Sequence, residues 1–264
     1  MYRKLASILV LLLGLSQVLA QEVRPGETEL NAFVDISTRI LDANRGISGL
    51  LVEGDIALAR GRNARKCYSF WDCRWKKLPS GHVEVPYQIN DYFYANERAI
   101  IEKAMQVFHE KTCIRFVPHN DQVDYLSIES KTGCWSSIGR SGGKQKVSLS
   151  VNGCIYQGII QHELLHALGF HHEHTRSDRD EYVRINWENV PKGASSNFAK
   201  KNTNNLNTKY DYGSVMHYGR TAYTTSYGKD TITPIPDPNA KIGQRTDMSD
   251  TDIVKVNRLY KCGE

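Results

Sequence analysis

The sequence predicts an α+β protein, with strands and helices in its first half and a largely irregular second half. Several short stretches between Val83 and Val151 read as strands. Two longer stretches, Ala95 to Lys111 and the run starting near Ile155, read as helices. After His172 the chain becomes polar and turn-rich, with Pro191, Pro234, Pro236 and Pro238. That order of elements is the basis for the class.

The first twenty residues stand apart from the fold. Tyr2-Arg3-Lys4 is a short basic start, Leu5 to Leu15 is an apolar run, and Val18-Leu19-Ala20 suits a signal peptidase. The run is too short for a membrane anchor, and no other segment approaches spanning length. Residues 1–20 are therefore expected to be a secretory signal peptide, and the mature protein to be secreted, with no membrane partner. Val83-Glu84-Val85-Pro86-Tyr87-Gln88-Ile89 alternates as a strand does. Ala95 to Lys111 places Ile100, Ala104, Val107 and Phe108 on one helical face. Ile114 to Val117 and Tyr125 to Ile128 read as further strands, and Gly142-Gly143 marks a turn before the strand Val147 to Val151. A second helix begins near Ile155, and a last short one runs from about Ser249 to Leu259, ahead of Cys262. No internal repeat is visible, and no second folded domain is expected after Cys262.

The second helix carries the chemistry. It reads His162-Glu163-Leu164-Leu165-His166-Ala167-Leu168-Gly169-Phe170-His171-His172. Positions i and i+4 share a helical face, so His162 and His166 can point two imidazoles at one metal. Glu163 lies within reach of a water on that metal. Gly169 can end the helix and turn the chain, which brings in His172 as a third ligand. Three protein nitrogens leave a coordination position open, as a catalytic zinc site requires. The alternative is a core helix that happens to carry histidines, and Leu164, Leu165, Ala167, Leu168 and Phe170 do look like core. Two histidines and a glutamate are costly to bury without a partner, which favours the metal. His171 and His174 are expected at the surface or behind the ligands. Nothing makes His217 a ligand, and His82, His109 and His119 are isolated.

Residues 21–62 contain no cysteine and one aromatic residue, Phe33, and lead into Arg60-Gly61-Arg62-Asn63-Ala64-Arg65. A secreted hydrolase with an open metal site calls for an inhibitory pro-segment. Arg62 or Arg65 suits a trypsin-like activating protease, and the boundary is drawn after Arg62, leaving 63–264 as the catalytic domain. Asp55, after the flexible Gly54, is either an ordinary turn aspartate or a carboxylate that reaches the zinc. Six cysteines, Cys67, Cys73, Cys113, Cys134, Cys154 and Cys262, suggest three disulfides in a secreted chain, with fifteen pairings open. None sits in a Cys-x-x-Cys pair, and there is no N-glycosylation sequon. The formal charge of +5 is too small an excess to argue nucleic-acid binding.

The run His162-Glu163-x-x-His166-x-x-Gly169-Phe170-x-His172-Glu173 resembles the signature of astacin-type metalloproteases, within the metzincin clan. The resemblance continues through Thr175-Arg176-Ser177-Asp178-Arg179-Asp180, Tyr182-Val183-Arg184-Ile185-Asn186-Trp187 and Ser214-Val215-Met216-His217-Tyr218, and covers nearly all of residues 67–262. Cys67, Cys73 and the run Ile242-Gly243-Gln244-Arg245 are most similar to the fish hatching enzymes, or choriolysins, six-cysteine astacins that digest the egg envelope.

The resemblance implies an astacin-like zincin fold with two lobes either side of a cleft, the upper with a mixed twisted sheet and two long helices, the lower largely irregular. It implies one zinc ion per chain on His162, His166 and His172, with Glu163 as general base. Met216 would form an apolar base under the zinc. Tyr218 would be an additional ligand that swings away and hydrogen-bonds the oxyanion. Asp55 would be the zinc ligand of the zymogen, although Val52 stands where the family usually has phenylalanine. The disulfides would be Cys113–Cys262, Cys134–Cys154 and Cys67–Cys73. Glu173 would be buried and linked to the new N-terminus, although the segment from Asn63 to Pro86 is longer than in the shortest members. Substrate would pair with an edge strand near Cys134-Trp135-Ser136. A monomeric endopeptidase acting on an egg-envelope glycoprotein is expected, stored in secretory granules before release. Another six-cysteine astacin with a tissue or digestive role has the same centre. A spent protein using zinc as a staple would not need the intact Glu163.

Overall fold

The alternating stretches of the first half pair into one mixed sheet. The computed structural model describes residues 35–58, 73–244 and 246–264. The signal peptide, Arg62, Asn63, Arg65, Cys67 and Arg245 lie outside these residues. Strand β1 (Leu51–Val52) and β2 (Ile56–Ala57) form a small hairpin in the N-terminal segment, after helix α1 (Ile36–Ala43). There follow β3 (Val83–Ile89), helix α2 (Ala95–Lys111), β4 (Ile114–Pro118), β5 (Tyr125–Glu129), β6 (Cys134–Ser136), β7 (Lys144–Leu149) and helix α3 (Gln157–Ala167). The sheet order is β1-β2-β6-β7-β5-β3-β4. β3, β4, β5 and β7 run parallel, and β6 returns antiparallel to β7. The irregular half adds one two-stranded pair, β8 (Val183–Ile185) with β9 (Ile232–Pro234), and a final helix α4 (Asp250–Leu259).

The core of the sheet side holds Val83, Val85, Leu126, Ile128, Val147 and Leu149 against Ile101, Ala104, Met105 and Phe108 of α2 and Ile159, Ile160 and Leu164 of α3. The buried face of α2 is thus Ile101, Ala104, Met105 and Phe108, rotated from the expected stripe; Ile100 and Val107 are half-buried. α3 starts at Gln157 rather than Ile155, because Tyr156 is extended at φ −127° and ψ 137°. β7 stops at Leu149, because the chain turns just beyond it, the Ser150 carbonyl accepting from Cys154 N–H at 3.0 Å. A second apolar cluster, with Val183, Ile185, Phe198, Tyr210, Tyr218 and Ile232, forms in the irregular half. α4 belongs to the sheet side: Val256 and Leu259 pack in the first cluster. Ser249 caps it, accepting from Asp252 N–H at 2.9 Å while Asp252 accepts from Ser249 N–H at 3.0 Å. Disulfides join Cys113 to Cys262, closing a separation of 149 residues, and Cys134 to Cys154. Cys73 is disulfide-bonded; its expected partner Cys67 is outside the described residues.

Candidate metal centre

α3 is buried from Gly158 to Ala167, so its histidines face protein on every side. A buried helix end must satisfy its carbonyls from elsewhere. Gly139 N–H donates to the His166 carbonyl at 2.8 Å, the Trp75 indole to Ala167 at 2.9 Å, and the Tyr260 hydroxyl to Leu168 at 2.9 Å. Gly169 then adopts φ 106°, a conformation that favours glycine, and the chain turns back towards the helix.

Three imidazoles converge beyond that turn. His162 Nδ1 is 2.8 Å from the Val215 carbonyl, His166 Nδ1 is 2.7 Å from the Phe170 carbonyl, and His172 Nδ1 is 3.0 Å from a Glu53 carboxylate oxygen. Carbonyls and carboxylates only accept, so each Nδ1 carries the proton and each Nε2 presents a lone pair. The Nε2 atoms of His162 and His172 are 3.2 Å apart. Asp55 Oδ2 lies 3.0 Å from His162 Nε2 and 3.2 Å from His172 Nε2, and its Oδ1 lies 3.2 Å from His166 Nε2. One ligand atom from each of the four buried residues falls within 4.8 Å of the others. Asp55 Oδ1 and His166 Nε2 have no hydrogen-bond partner. A convergence of lone pairs and a carboxylate, without donors between them, fits a divalent cation with nitrogen and oxygen ligands.

The electrostatics follow from burial and proximity. Burial alone would raise Asp55, but the facing His172 and His166 hold it well below the usual carboxylate range. Burial, then the Asp55 charge, pushes Glu163 well above it. Both Glu163 carboxylate oxygens are buried and without a hydrogen-bond partner. Among the protein groups alone, burial takes His166 down to about 4. Burial also works against His172, but Asp55 and Glu53 outweigh it and push that imidazole up to about 9.

The support reaches into the irregular half. Ser214 Oγ donates to Asp252 at 2.6 Å and accepts from Met216 N–H at 3.0 Å, and the Met216 carbonyl accepts from Glu173 N–H at 3.0 Å. Met216 is buried in the sheet-side cluster. Glu173 is buried, accepts from Asp211 N–H at 2.9 Å, and pairs with Arg176 at 3.1 Å and with Lys255. Tyr218 is buried, its ring 4.8 Å from that of His172 and stacked on His174 at 3.9 Å. Its hydroxyl donates to the Glu53 carbonyl.

The N-terminal segment fills the cleft. β2 pairs parallel with β6 at Ile56 and Ser136, and Ser136 N–H donates to the Asp55 carbonyl at 3.0 Å. Asn44 extends this pairing with a side-chain amide: it accepts from Cys134 N–H at 2.8 Å and donates to the Cys134 carbonyl at 2.7 Å and the Gly54 carbonyl at 2.8 Å. Glu53 is fully buried among His171 at 3.0 Å, His172 at 3.0 Å and Lys201 at 3.2 Å. Burial would raise Glu53, but the hydrogen bonds from His171 and His172 hold it far below the carboxylate range. Sequence reasoning missed Glu53 and Asn44. An acidic residue next to Gly54-Asp55 was the one available signal for the first. His174 is buried behind Tyr218 rather than at the surface, and His217 bonds the Tyr210 hydroxyl at 2.7 Å, away from the ligand set.

The profile of the astacin peptidase family matches residues 73–261. High choriolytic enzyme 1 of Oryzias latipes is 56% identical over 230 residues, spanning 87% of this chain and 85% of that one. The low choriolytic enzyme of the same fish is 49% identical over 267 residues, with 98% of each chain covered. The solved structure of high choriolytic enzyme 1, a hatching enzyme zinc-protease, superposes with a TM-score of 0.72 at 57% identity, covering 76% of this chain and all of that one.

Proposed function

We propose, starting from the fact that this chain belongs to the astacin family and is a zinc metalloendopeptidase carrying one zinc ion, that it is a secreted hatching enzyme digesting egg-envelope protein. The observation that carries the catalytic reading is the convergence of three Nε2 lone pairs and the Asp55 carboxylate beside an unpartnered Glu163. His162, His166 and His172 would hold the zinc, with Asp55 as a further ligand before activation and Tyr218 as an additional one. When bound, zinc lowers the pKa of a water from about 15.7 toward about 7 and polarises the scissile carbonyl.

Glu163 takes the proton of the attacking water and later delivers it to the leaving amine. Both its carboxylate oxygens are buried and without a hydrogen-bond partner, which leaves them open to that proton. Tyr218 donates to a carbonyl of the N-terminal segment here, and the same donation to a substrate oxyanion is worth about 3 kcal/mol. Met216 backs the site, and Glu173 N–H ties the chain just after His172 to the Met216 carbonyl. A substrate strand would use the β6 edge that β2 and Asn44 cover.

Docking of residues 35–58 over the site supports a zymogen with a signal peptide at 1–20, a pro-segment at 21–62 and a catalytic domain at 63–264, activated by a protease cutting near Arg62. The active form is a monomer. The names of the fish relatives support the egg envelope as substrate.

Glu163→Gln is expected to fold and bind one zinc, with kcat lowered by about 10²- to 10⁴-fold. Wild-type peptidase activity in that variant would remove Glu163 from the mechanism. Isolated egg envelopes incubated with the activated enzyme should release peptides, and a chelator should stop it. Envelopes left intact by an enzyme that still cleaves casein would contradict the hatching role.

A further inference from the structure

Two carboxylates of the N-terminal segment grip one imidazole from opposite sides. Asp55 Oδ2 lies 3.2 Å from His172 Nε2, and Glu53 Oε2 lies 3.0 Å from His172 Nδ1. The backbone between them achieves this placement. Glu53 has φ 50° and Gly54 φ 82°, two left-handed residues in succession. A side chain as long as glutamate is uncommon in that region, and strain of this kind persists where the surroundings fix it. Gly54 leaves no room for a side chain: a Cβ there would lie 2.6 Å from Leu41 Cδ2 and 2.6 Å from the Tyr223 hydroxyl. The Glu53 carbonyl accepts from the Tyr218 hydroxyl, so residue 53 is held by main chain and side chain together.

The two carboxylates are held in different ways. Asp55 faces the three Nε2 lone pairs, and its Oδ1 has no hydrogen-bond partner. Glu53 faces donors. Its Oε1 lies 3.2 Å from the Lys201 ammonium and 3.0 Å from His171 Nδ1. Its Oε2 accepts from His172 Nδ1–H at 3.0 Å and lies 3.5 Å from the His172 backbone nitrogen. No Nε2 atom takes part, so this contact is made by protein groups alone. Lys201 is fixed in its turn, its backbone N–H donating to the Thr175 carbonyl at 2.7 Å. Glu53 is fully buried, so losing the charge of one partner leaves the other poorly compensated.

We propose that Glu53 is a second latch of the N-terminal segment, with Lys201 as its partner on the catalytic domain: their ion pair keeps Asp55 seated against the three histidines until the segment is released. This rests on the reading of residues 21–62 as an inhibitory pro-segment. The test measures the peptidase activity of the full-length, zinc-loaded, uncleaved chain, its mass checked, on a quenched-fluorescence peptide. That activity is divided by the activity of the same preparation after trypsin. Glu53→Gln keeps the shape of the side chain and removes its charge. Because residue 53 leaves with the pro-segment, trypsin should convert this variant into the wild-type mature enzyme, which controls for folding. Lys201→Met keeps the apolar stem, removes the ammonium, and probes the same contact from the catalytic domain.

Each substitution should raise the ratio of uncleaved to cleaved activity by about 10-fold or more over the wild type, the effect of one charged hydrogen bond on the balance between docked and open segment. In the Lys201→Met background, Glu53→Gln should add less than it does alone. A ratio left at the wild-type level in either folded variant would overturn the proposal, and so would rises that multiply independently in the double variant. A wild-type chain as active before trypsin as after it would instead remove the inhibitory pro-segment, and this inference with it.

Discussion

Residues 83–167 and residues 172–248 bury their backbones by different means. In the first region the carbonyls are taken up by strand ladders and two helices. In the second, one three-residue strand pair and several short 3-10 turns do little of that work. Polar side chains do the rest. Arg179 Nη1 donates to the carbonyls of His174 at 2.9 Å and Phe198 at 3.0 Å. Arg176 donates to those of Thr208 and Lys209, each at 3.1 Å. Asn186 Nδ2 donates to Asp230 at 2.9 Å. The first region thus rests on many interchangeable apolar residues, and the second on a few polar ones with assigned partners. The metal centre lies at the seam: α3 supplies His162 and His166, and the loop entering the irregular half supplies His172.

Four substitutions probe this contrast. The largest effect is expected at the seam. Asp55→Ala in the uncleaved chain removes a buried charged contact of about 2–5 kcal/mol, so its basal peptidase activity should rise by about 30-fold or more over the wild-type zymogen. An unchanged zymogen would show that the covered β6 edge, rather than Asp55, keeps it silent. Leu164→Ala in the regular region opens a cavity among fully buried side chains and should cost about 3 kcal/mol in urea unfolding. Arg179→Met keeps the apolar stem but leaves two buried carbonyls unpaired, at about 2 kcal/mol. A loss below about 0.5 kcal/mol there would mean that water reaches those carbonyls and that the contrast is overstated. Asn44→Ala should cost about 1 kcal/mol in docking of the N-terminal segment, read as faster trypsin activation at unchanged mature activity.

The same contrast explains what could be read from the sequence. Val83 to Ile89, Ala95 to Lys111 and Asp250 to Leu259 fell where periodicity and capping put them, because each is long enough to show its period. β6, β8 and β9 have three residues each, too few for alternation to register. The face of α2 was misplaced because Ile100 and Val107 are apolar but only half-buried. Ligand spacing was legible, since His162 and His166 are one helical turn apart and Gly169 allows the reversal to His172. Glu53 touching His172 was not, because that contact depends on a segment 119 residues away folding back.

Elemental analysis of the purified, correctly oxidised chain after equilibration with zinc tests the central claim most directly. It should find one zinc per chain in the wild type and in Glu163→Gln, and a clear loss in His166→Ala. Protein that folds with all its disulfides and yet retains no zinc would contradict it.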